Sequence, residues 1–391
     1  MRVTIVAETF TPAVNGVVNS VLRVADQLAE RGHQPIVVAP SGQSYRSASG
    51  HRIEVVRVPS VTLPGYRGLA VARPGQHLVP VLRDLCPDVV HLASPAVLGW
   101  AAVHAAADLD VASVAAFQTD LSGFLRRYGL GHCSPLLWSW LRRLHNAADL
   151  TLAPSSATAY QLRRHGIGPL AMWSRGVDGH QFHPLRRDER LRESLLAAAG
   201  PGGLLVGFVG RLAAEKRVDA LEPLTRLPGV QVVIIGDGPR RAALERLMPA
   251  ARFTGQLSGA QLGATMASLD LLVQPGADET FCQVVQEALC AGVPVISAAS
   301  GGPLDLVRHG ENGWLWAGED PEVLAALVAS AGADRVERAA VRARTRRCVV
   351  GRTWTRVTDQ LIGHYARVIA ARTGRPTADP VVAASQRRSA S

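Results

Sequence analysis

Short apolar runs alternate with amphipathic stretches from the first residues onward. Val3 to Ala7 reads as a strand, Val17 to Glu30 as an amphipathic helix closed by Gly32, and Pro35 to Ala39 as the next strand. Val89 to Leu92 and Val111 to Phe117 extend the series, and a second set opens with Leu204 to Val209 and Val230 to Ile235. Strands separated by helix-length amphipathic segments predict an α/β protein built on parallel sheets. With 391 residues there is room for two domains, each burying its own core. Glycine, proline and charge cluster after Trp173-Ser174, which places the boundary between residues 175 and 200. Asn312-Gly313 between apolar residues predicts a tight hairpin. Residues 373 to 391, rich in Pro, Ser, Ala and Arg, predict a disordered tail.

Candidate chemistry begins with Lys216, the only lysine among 42 basic residues. It closes Gly210-Arg211-Leu212-Ala213-Ala214-Glu215-Lys216, directly after the run Leu204 to Val209, where a strand gives way to a polar loop. A compact ammonium beside an arginine suits phosphate oxygens, although alone the pair reads equally as solvated charge at the start of a surface helix. Residues 278 to 296 parse as loop, short helix, stop at Gly292, and a strand over Val293 to Ile296 with Pro294 near its start. Glu279 precedes the helix and Glu287 lies inside it; the backbone N–H groups of Phe281, Cys282 and Gln283 would face an anion.

Together these segments resemble the retaining glycosyltransferases of family 4. The likeness continues through Arg175-Gly176-Val177-Asp178 with Phe182 and Pro184, and through Gly301-Gly302-Pro303 to Glu311-Asn312-Gly313. It implies the GT-B fold: two facing Rossmann-like domains around a cleft, with a C-terminal helix crossing back to the first. In that scheme residues 1–180 bind the acceptor, 181–350 bind the nucleotide sugar, and 351–372 form the returning helix. The resemblance assigns Arg211 and Lys216 to the donor diphosphate, Glu287 to the ribose and Glu279 to the transferred sugar. It also places Asn15 and Gly16, in the Thr11 to Gly16 loop after the first strand, near the diphosphate and acceptor. That loop is not a Gly-x-Gly-x-x-Gly fingerprint, which disfavours a dinucleotide dehydrogenase. Asp237, in Gly236-Asp237-Gly238-Pro239, either lines the nucleotide site or serves its own turn.

Many family members carry histidine where this chain has Gln118. Glutamine donates and accepts hydrogen bonds but cannot act as a general base near neutral pH. Gln118, Asp120 and Glu279 are the catalytic candidates. The Gln118-Thr119-Asp120 pattern, with Pro87 to Pro95 and Phe281 to Glu287, resembles bacterial GDP-mannose-dependent α-mannosyltransferases acting on glycolipids. The mechanism so implied is a loosened sugar–phosphate bond, with the departing phosphate helping to remove the acceptor proton. A related enzyme using a UDP-sugar and a catalytically silent nucleotide-sugar-binding partner stand as alternatives. A phosphorylase fits less well, because its pyridoxal cofactor needs a lysine and the only one is assigned to phosphate.

The remaining composition narrows partners and place. No apolar run approaches the ~20 residues that span a bilayer, and the start lacks a signal-peptide pattern, so a cytosolic protein is expected. Five cysteines without a Cys-x-x-Cys pair argue against a disulfide framework or zinc site. Asp108-Leu109-Asp110 has a metal-binding spacing but falls on a turn before a strand, so no metal or other cofactor is expected. Net charge of +10 suits acidic partners. No nucleic-acid motif accompanies it. Residues 121 to 145 carry Arg126, Arg127, Arg142 and Arg143 among Phe124, Tyr128, Trp138 and Trp140. That mixture suits either peripheral contact with an anionic membrane's inner face or a core helix with a solvated basic side.

Overall fold

The computed structural model describes residues 1–13, 15–47, 49–62, 70–72, 78–123, 129, 131–196, 200, 202–333 and 335–374. In the first half lie β1 (Arg2–Ala7), β2 (Gln34–Ala39), β3 (Tyr45–Arg46), β4 (Arg52–Arg57), β5 (Ser60–Thr62), β6 (Ala70–Ala72), β7 (Val89–Ala93), β8 (Ala112–Ala116), β9 (Leu150–Ala153) and β10 (Leu170–Met172). Eight of them form one sheet in the order β10-β9-β8-β7-β1-β2-β4-β3, parallel except for β3. β5 and β6 pair separately. The second half contributes β11 (Leu204–Val209), β12 (Val230–Ile235), β13 (Arg252–Gly255), β14 (Leu271–Gln274), β15 (Val295–Ala298) and β16 (Gly313–Trp316). Their sheet runs β13-β12-β11-β14-β15-β16, parallel throughout.

The unbroken apolar runs follow from burial on both faces, which parallel sheets impose. In β1, Val3, Ile5 and Ala7 pack beneath the helix Gly16–Glu30, whose Val18, Val21, Val24, Ala25 and Leu28 repeat at helical spacing. Val6 points to the opposite layer, against Leu98, Ala102 and Val103 of the helix Val97–Asp108. In β11, Leu205 and Val209 meet the helix Gln283–Cys290 through Val285, Ala288 and Leu289. Val206 and Phe208 face the other layer with Leu221, Leu324 and Val328. The result is the two Rossmann-like domains of the expected α/β class.

The chain crosses between the halves twice. Val177 bridges to Thr353, its N–H donating to the Arg352 carbonyl at 2.8 Å. Gly176 is required there, since a Cβ would lie 2.5 Å from Trp354 Cα. Thr353 caps the helix Trp354–Thr373, which returns to the first sheet and buries Leu361, Tyr365 and Val368 with β1 and β7 residues. Tyr365 shares a 2.8 Å hydrogen bond with buried His91, and Trp173 Nε1 donates to the Val357 carbonyl at 2.9 Å.

Two local expectations change, and a third falls partly outside the described residues. Asn312-Gly313 makes no hairpin: Asn312 is fully buried, its amide bridging Arg308 N and the Leu306 carbonyl, and Gly313 begins a parallel strand. Pro294 precedes β15, its carbonyl accepting from Leu272 N at 2.9 Å. Of the segment at 121 to 145, Phe124, Arg126, Arg127 and Tyr128 lie outside the described residues. Its described part forms the helix Ser134–Asn146, with Trp138 and Leu141 in the core and Arg142 and Arg143 exposed. The tail beyond residue 374 also lies outside the described residues.

Candidate active site

Strand order reverses between β1 and β7 in the first sheet and between β11 and β14 in the second. Open α/β sheets bind ligands at the carboxyl ends of strands beside such a reversal, where diverging connections leave a crevice. The loop after β11 carries Arg211 and Lys216; the loop after β14 carries Glu279. These loops meet. Lys216 Nζ donates to Glu279 Oε1 at 2.5 Å. The Lys216 side chain keeps only 27% exposure, so the expected exposed surface lysine is instead a partly buried ion pair. Burial opposes the Lys216 charge, yet Glu279 holds its pKa above the ordinary lysine value.

Glycines let these backbones approach. A Cβ on Gly276 would meet Glu215 O at 3.2 Å. Gly301 has φ +64° and its Cβ would lie 2.3 Å from Glu279 O; one on Gly302 would lie 2.3 Å from Phe281 Cα. Gly302 N–H donates to the Glu279 carbonyl at 2.7 Å, completing a cradle beneath the carboxylate. From the other domain, Ser155 Oγ and Thr158 Oγ1 donate to the Thr280 carbonyl at 2.7 and 3.2 Å, while Thr280 Oγ1 donates to the Gln118 carbonyl at 3.0 Å. Asp305 receives both the N–H and the hydroxyl of Ser156. The loop bearing Glu279 is therefore held by both halves.

On the first domain's side, Asn15 Oδ1 accepts from Val17 and Val18 N–H at 2.9 Å each, so it caps the first helix, and Gly16 opens that helix. The Gly16 carbonyl accepts from Arg175 Nη1 at 2.8 Å, and Arg175 Nη2 donates to Gln118 Oε1 at 2.9 Å. Arg175, part of the Arg-Gly-Val-Asp likeness but not a candidate site residue, is the side chain at this edge that sequence reasoning missed. The available signal was an arginine at the crossing between domains.

The short helix Gln283–Cys290 orders the remaining candidates. Cys282 precedes it with φ +64°, and no side chain caps its first turn. Its leading N–H groups thus lack a side-chain partner, as an anion site requires. The side chains of Phe281 and Cys282 pack into the core; the part expected of both residues is that of their backbone N–H groups. Burial pushes the Cys282 thiol pKa up, so it stays protonated. Gln283 Nε2 donates to the Gly176 carbonyl and Gln286 Nε2 to that of Arg175, both at 2.9 Å. Burial pushes Glu287 up to about 7, against a hydrogen bond from Gln283 and the charges of Arg175 and Arg23.

Arg211 is exposed beside this cluster, and its side chain makes no hydrogen bond to another described residue. Asp120 Oδ1 accepts from Ser122 Oγ and Gly123 N, giving that oxygen a local structural task. Asp237 is likewise occupied by its own turn, accepting from Gly238 N at 2.7 Å and pairing with Arg241 at 3.1 Å. Asp110, in the Asp-x-Asp spacing, pairs with Arg372 at 3.4 Å at the amino end of β8. No group of three His, Cys, Asp or Glu side chains among the described residues could hold a metal. The arrangement can neutralise a diphosphate, accept from hydroxyls at Glu279 and Glu287, and donate to a sugar oxygen.

Comparisons with known proteins bear on the family and the fold. Residues 14–181 match the model described as Glycosyltransferase Family 4, and residues 197–347 the model described as Glycosyl transferases group 1. A GDP-mannose-dependent alpha-mannosyltransferase of Mycolicibacterium smegmatis is 47% identical over 378 residues, covering 96% of this chain and 100% of that protein. One from Corynebacterium glutamicum is 45% identical over 374 residues, covering 95% and 90%. Among solved structures, a sucrose-phosphate synthase from Thermosynechococcus elongatus superposes with a TM-score of 0.79 over 95% of this chain and 99% of that one. At 18% identity that likeness concerns the fold alone.

Proposed function

This chain belongs to the family 4 glycosyltransferases, and from that premise we propose that it is a retaining α-mannosyltransferase using GDP-mannose and a glycolipid hydroxyl as acceptor. One observation carries the chemistry: Lys216 and Glu279 meet at the ligand edge of the second sheet, a cation for diphosphate beside a carboxylate for sugar. Likeness to the two mannosyltransferases supports the donor's identity.

In this reading Arg211, Lys216 and the N–H groups leading into Gln283–Cys290 draw charge from the leaving diphosphate. Preorganised donors aimed at developing charge each contribute on the order of 2.7–4 kcal/mol to transition-state stabilisation. Glu287 accepts from the ribose hydroxyls and Glu279 from a hydroxyl of the mannose. As the sugar–phosphate bond loosens, a phosphate oxygen takes the proton of the incoming hydroxyl on the same face, and the α configuration is kept. Gln118 contributes hydrogen bonding, not proton transfer. The cationic groups perform the task a divalent ion would perform, so the reaction needs no metal. A lipid acceptor brings the enzyme to a bilayer, where the exposed Leu136 and the exposed Arg142 and Arg143 supply an apolar tip and a positive face. Among the described residues no helix is long and apolar enough to cross a membrane.

The test is a panel of nucleotide sugars offered with lipid extracts, products being read by mass and anomeric configuration. GDP-mannose should be preferred, the product α-linked, and the rate unchanged by EDTA. Preference for a UDP-sugar would replace the donor assignment, and binding without turnover would make the chain a silent partner. Restoration of an EDTA-lost rate by Mg²⁺ or Mn²⁺ would overturn metal independence.

A further inference from the structure

We propose that Arg175 is a positioning residue that fixes the side-chain amide of Gln118 with its NH2 end as a hydrogen-bond donor to the transferred sugar. The proposal rests on the reading of the site as a sugar-transfer centre, though not on which sugar is moved. Arg175 is only 8% exposed and stands where the chain leaves the first sheet. Its fork is divided between two loops at the first sheet's ligand edge. Nη1 reaches the Gly16 carbonyl at 2.8 Å and Nη2 reaches Gln118 Oε1 at 2.9 Å. A guanidinium has five donors and no acceptor, so only the oxygen end of an amide can face it. The orientation of Gln118, ordinarily ambiguous between two flips, is thereby decided by chemistry.

The other end follows. Gln118 Nε2 donates to no described residue and is absent from the buried atoms left without a partner, so it keeps contact with open space. The Gln118 main chain is fixed on its far side by Thr280 Oγ1, next in sequence to Glu279. The residue that carries the free NH2 accordingly sits at the end of β8 with its main chain tied to the loop that holds the sugar-facing carboxylate. Carboxylates accept and amides donate, so Glu279 and Gln118 together can engage a hydroxyl and an oxygen lone pair on one hexose. Arg175 is itself gripped from the second domain, its carbonyl accepting from Gln286 Nε2 at 2.9 Å. A Cβ at Gly16 would lie 3.0 Å from Nη1, so a side chain there would crowd the guanidinium. Burial lowers the Arg175 pKa to about 10, with the charges of Glu279 and Glu287 opposing it.

A double-mutant cycle tests the assignment, using whichever nucleotide sugar the wild-type protein turns over fastest, so that a wrong mannose assignment leaves the cycle readable. Gln118→Glu keeps a partner for Arg175 but presents an acceptor where a donor is needed; kcat should fall roughly 10²-fold, the loss seen for a single critical donor, with donor KM little changed. Arg175→Lys keeps the charge but not the fork and should lower kcat about 10-fold. In a Gln118→Ala background the same Arg175→Lys change should cost less than about 2-fold, because the group it positions is gone. The ratio of affinities for that nucleotide sugar and for its nucleoside diphosphate provides a readout without turnover: it should drop in Gln118→Glu while affinity for the diphosphate holds. Equal cost of Arg175→Lys in both backgrounds, or a wild-type kcat and affinity ratio in Gln118→Glu, overturns the proposal. Should Arg175→Lys fail to fold, Gln118→Glu decides alone.

Discussion

Two carboxylates eight positions apart, Glu279 and Glu287, have different surroundings, and the tasks proposed for them differ accordingly. Glu279 is ion-paired with Lys216, whereas burial raises Glu287 to about 7. Lys216→Ala removes a charge from the proposed diphosphate site and leaves Glu279 without its partner. GDP affinity should fall by about 10- to 100-fold, equivalent to the ~1.5–3 kcal/mol of a hydrogen bond to a charged group, and calorimetric titration reads it directly. Unchanged GDP affinity would reduce Lys216 to a structural ion pair. For Glu287 the sign is fixed by its raised pKa. Below about pH 7 it is a neutral acid; above that it becomes a carboxylate that accepts from both ribose hydroxyls, and ribose binding in turn favours the charged form. Affinity for GDP should therefore strengthen as pH rises from about 6 to about 8, with proton release on binding. Glu287→Gln should flatten that profile; an identical slope in the variant would remove Glu287 as its source.

At the scale of elements, the loop between β14 and Gln283–Cys290 is shaped by contacts a side chain would destroy. Gly301→Ala places a Cβ 2.3 Å from the Glu279 carbonyl, so the loop must shift or the backbone must strain. A displacement of about 1 Å at a reacting centre costs roughly 10²-fold in rate, and kcat should fall by about that much. Gly310→Ala supplies the control: φ is +79° there but nothing lies within 4 Å of the new Cβ. It should lose stability with unchanged kcat. Similar kcat in both variants would show that backbone strain, not the cradle, accounts for the effect. The segment at 121 to 145 is likewise decided by its neighbours: Trp138 stacks on Phe117 and His165, which turns its aromatic character inward.

For the whole molecule, the returning helix joins the end of the chain to the centre of the first sheet. Tyr365 is fully buried and bonded to His91, which burial holds neutral with a pKa down to about 4. Tyr365→Phe leaves a buried imidazole nitrogen without its partner and should cost about 1–3 kcal/mol. The corresponding fall in Tm is several degrees, at about 2–4 °C per kcal/mol for domains of 150–250 residues. Scanning calorimetry checks the loss, and GDP titration should show no change. A Tm equal to wild type would mean that the helix is held by its apolar face alone.

Periodicity determined the α/β class, the helix at residues 16 to 30 and the strands Leu204–Val209 and Val230–Ile235, because a helix with one buried stripe and a strand buried on both faces leave local signatures. The short strands β3, β5 and β6 and the burial of Asn312 left none, since two or three residues cannot establish a period and an Asn-Gly pair serves a hairpin and a buried loop alike. Sequence likeness found Lys216, Glu279 and Glu287 individually. That Lys216 grips Glu279 across 63 positions, that Arg175 holds Gln118 across 57, and that Thr280 ties to Gln118 across 162 was decided only by the tertiary structure. Strand order and domain closure bring those residues together, and neither is written in the pattern of neighbours along the chain.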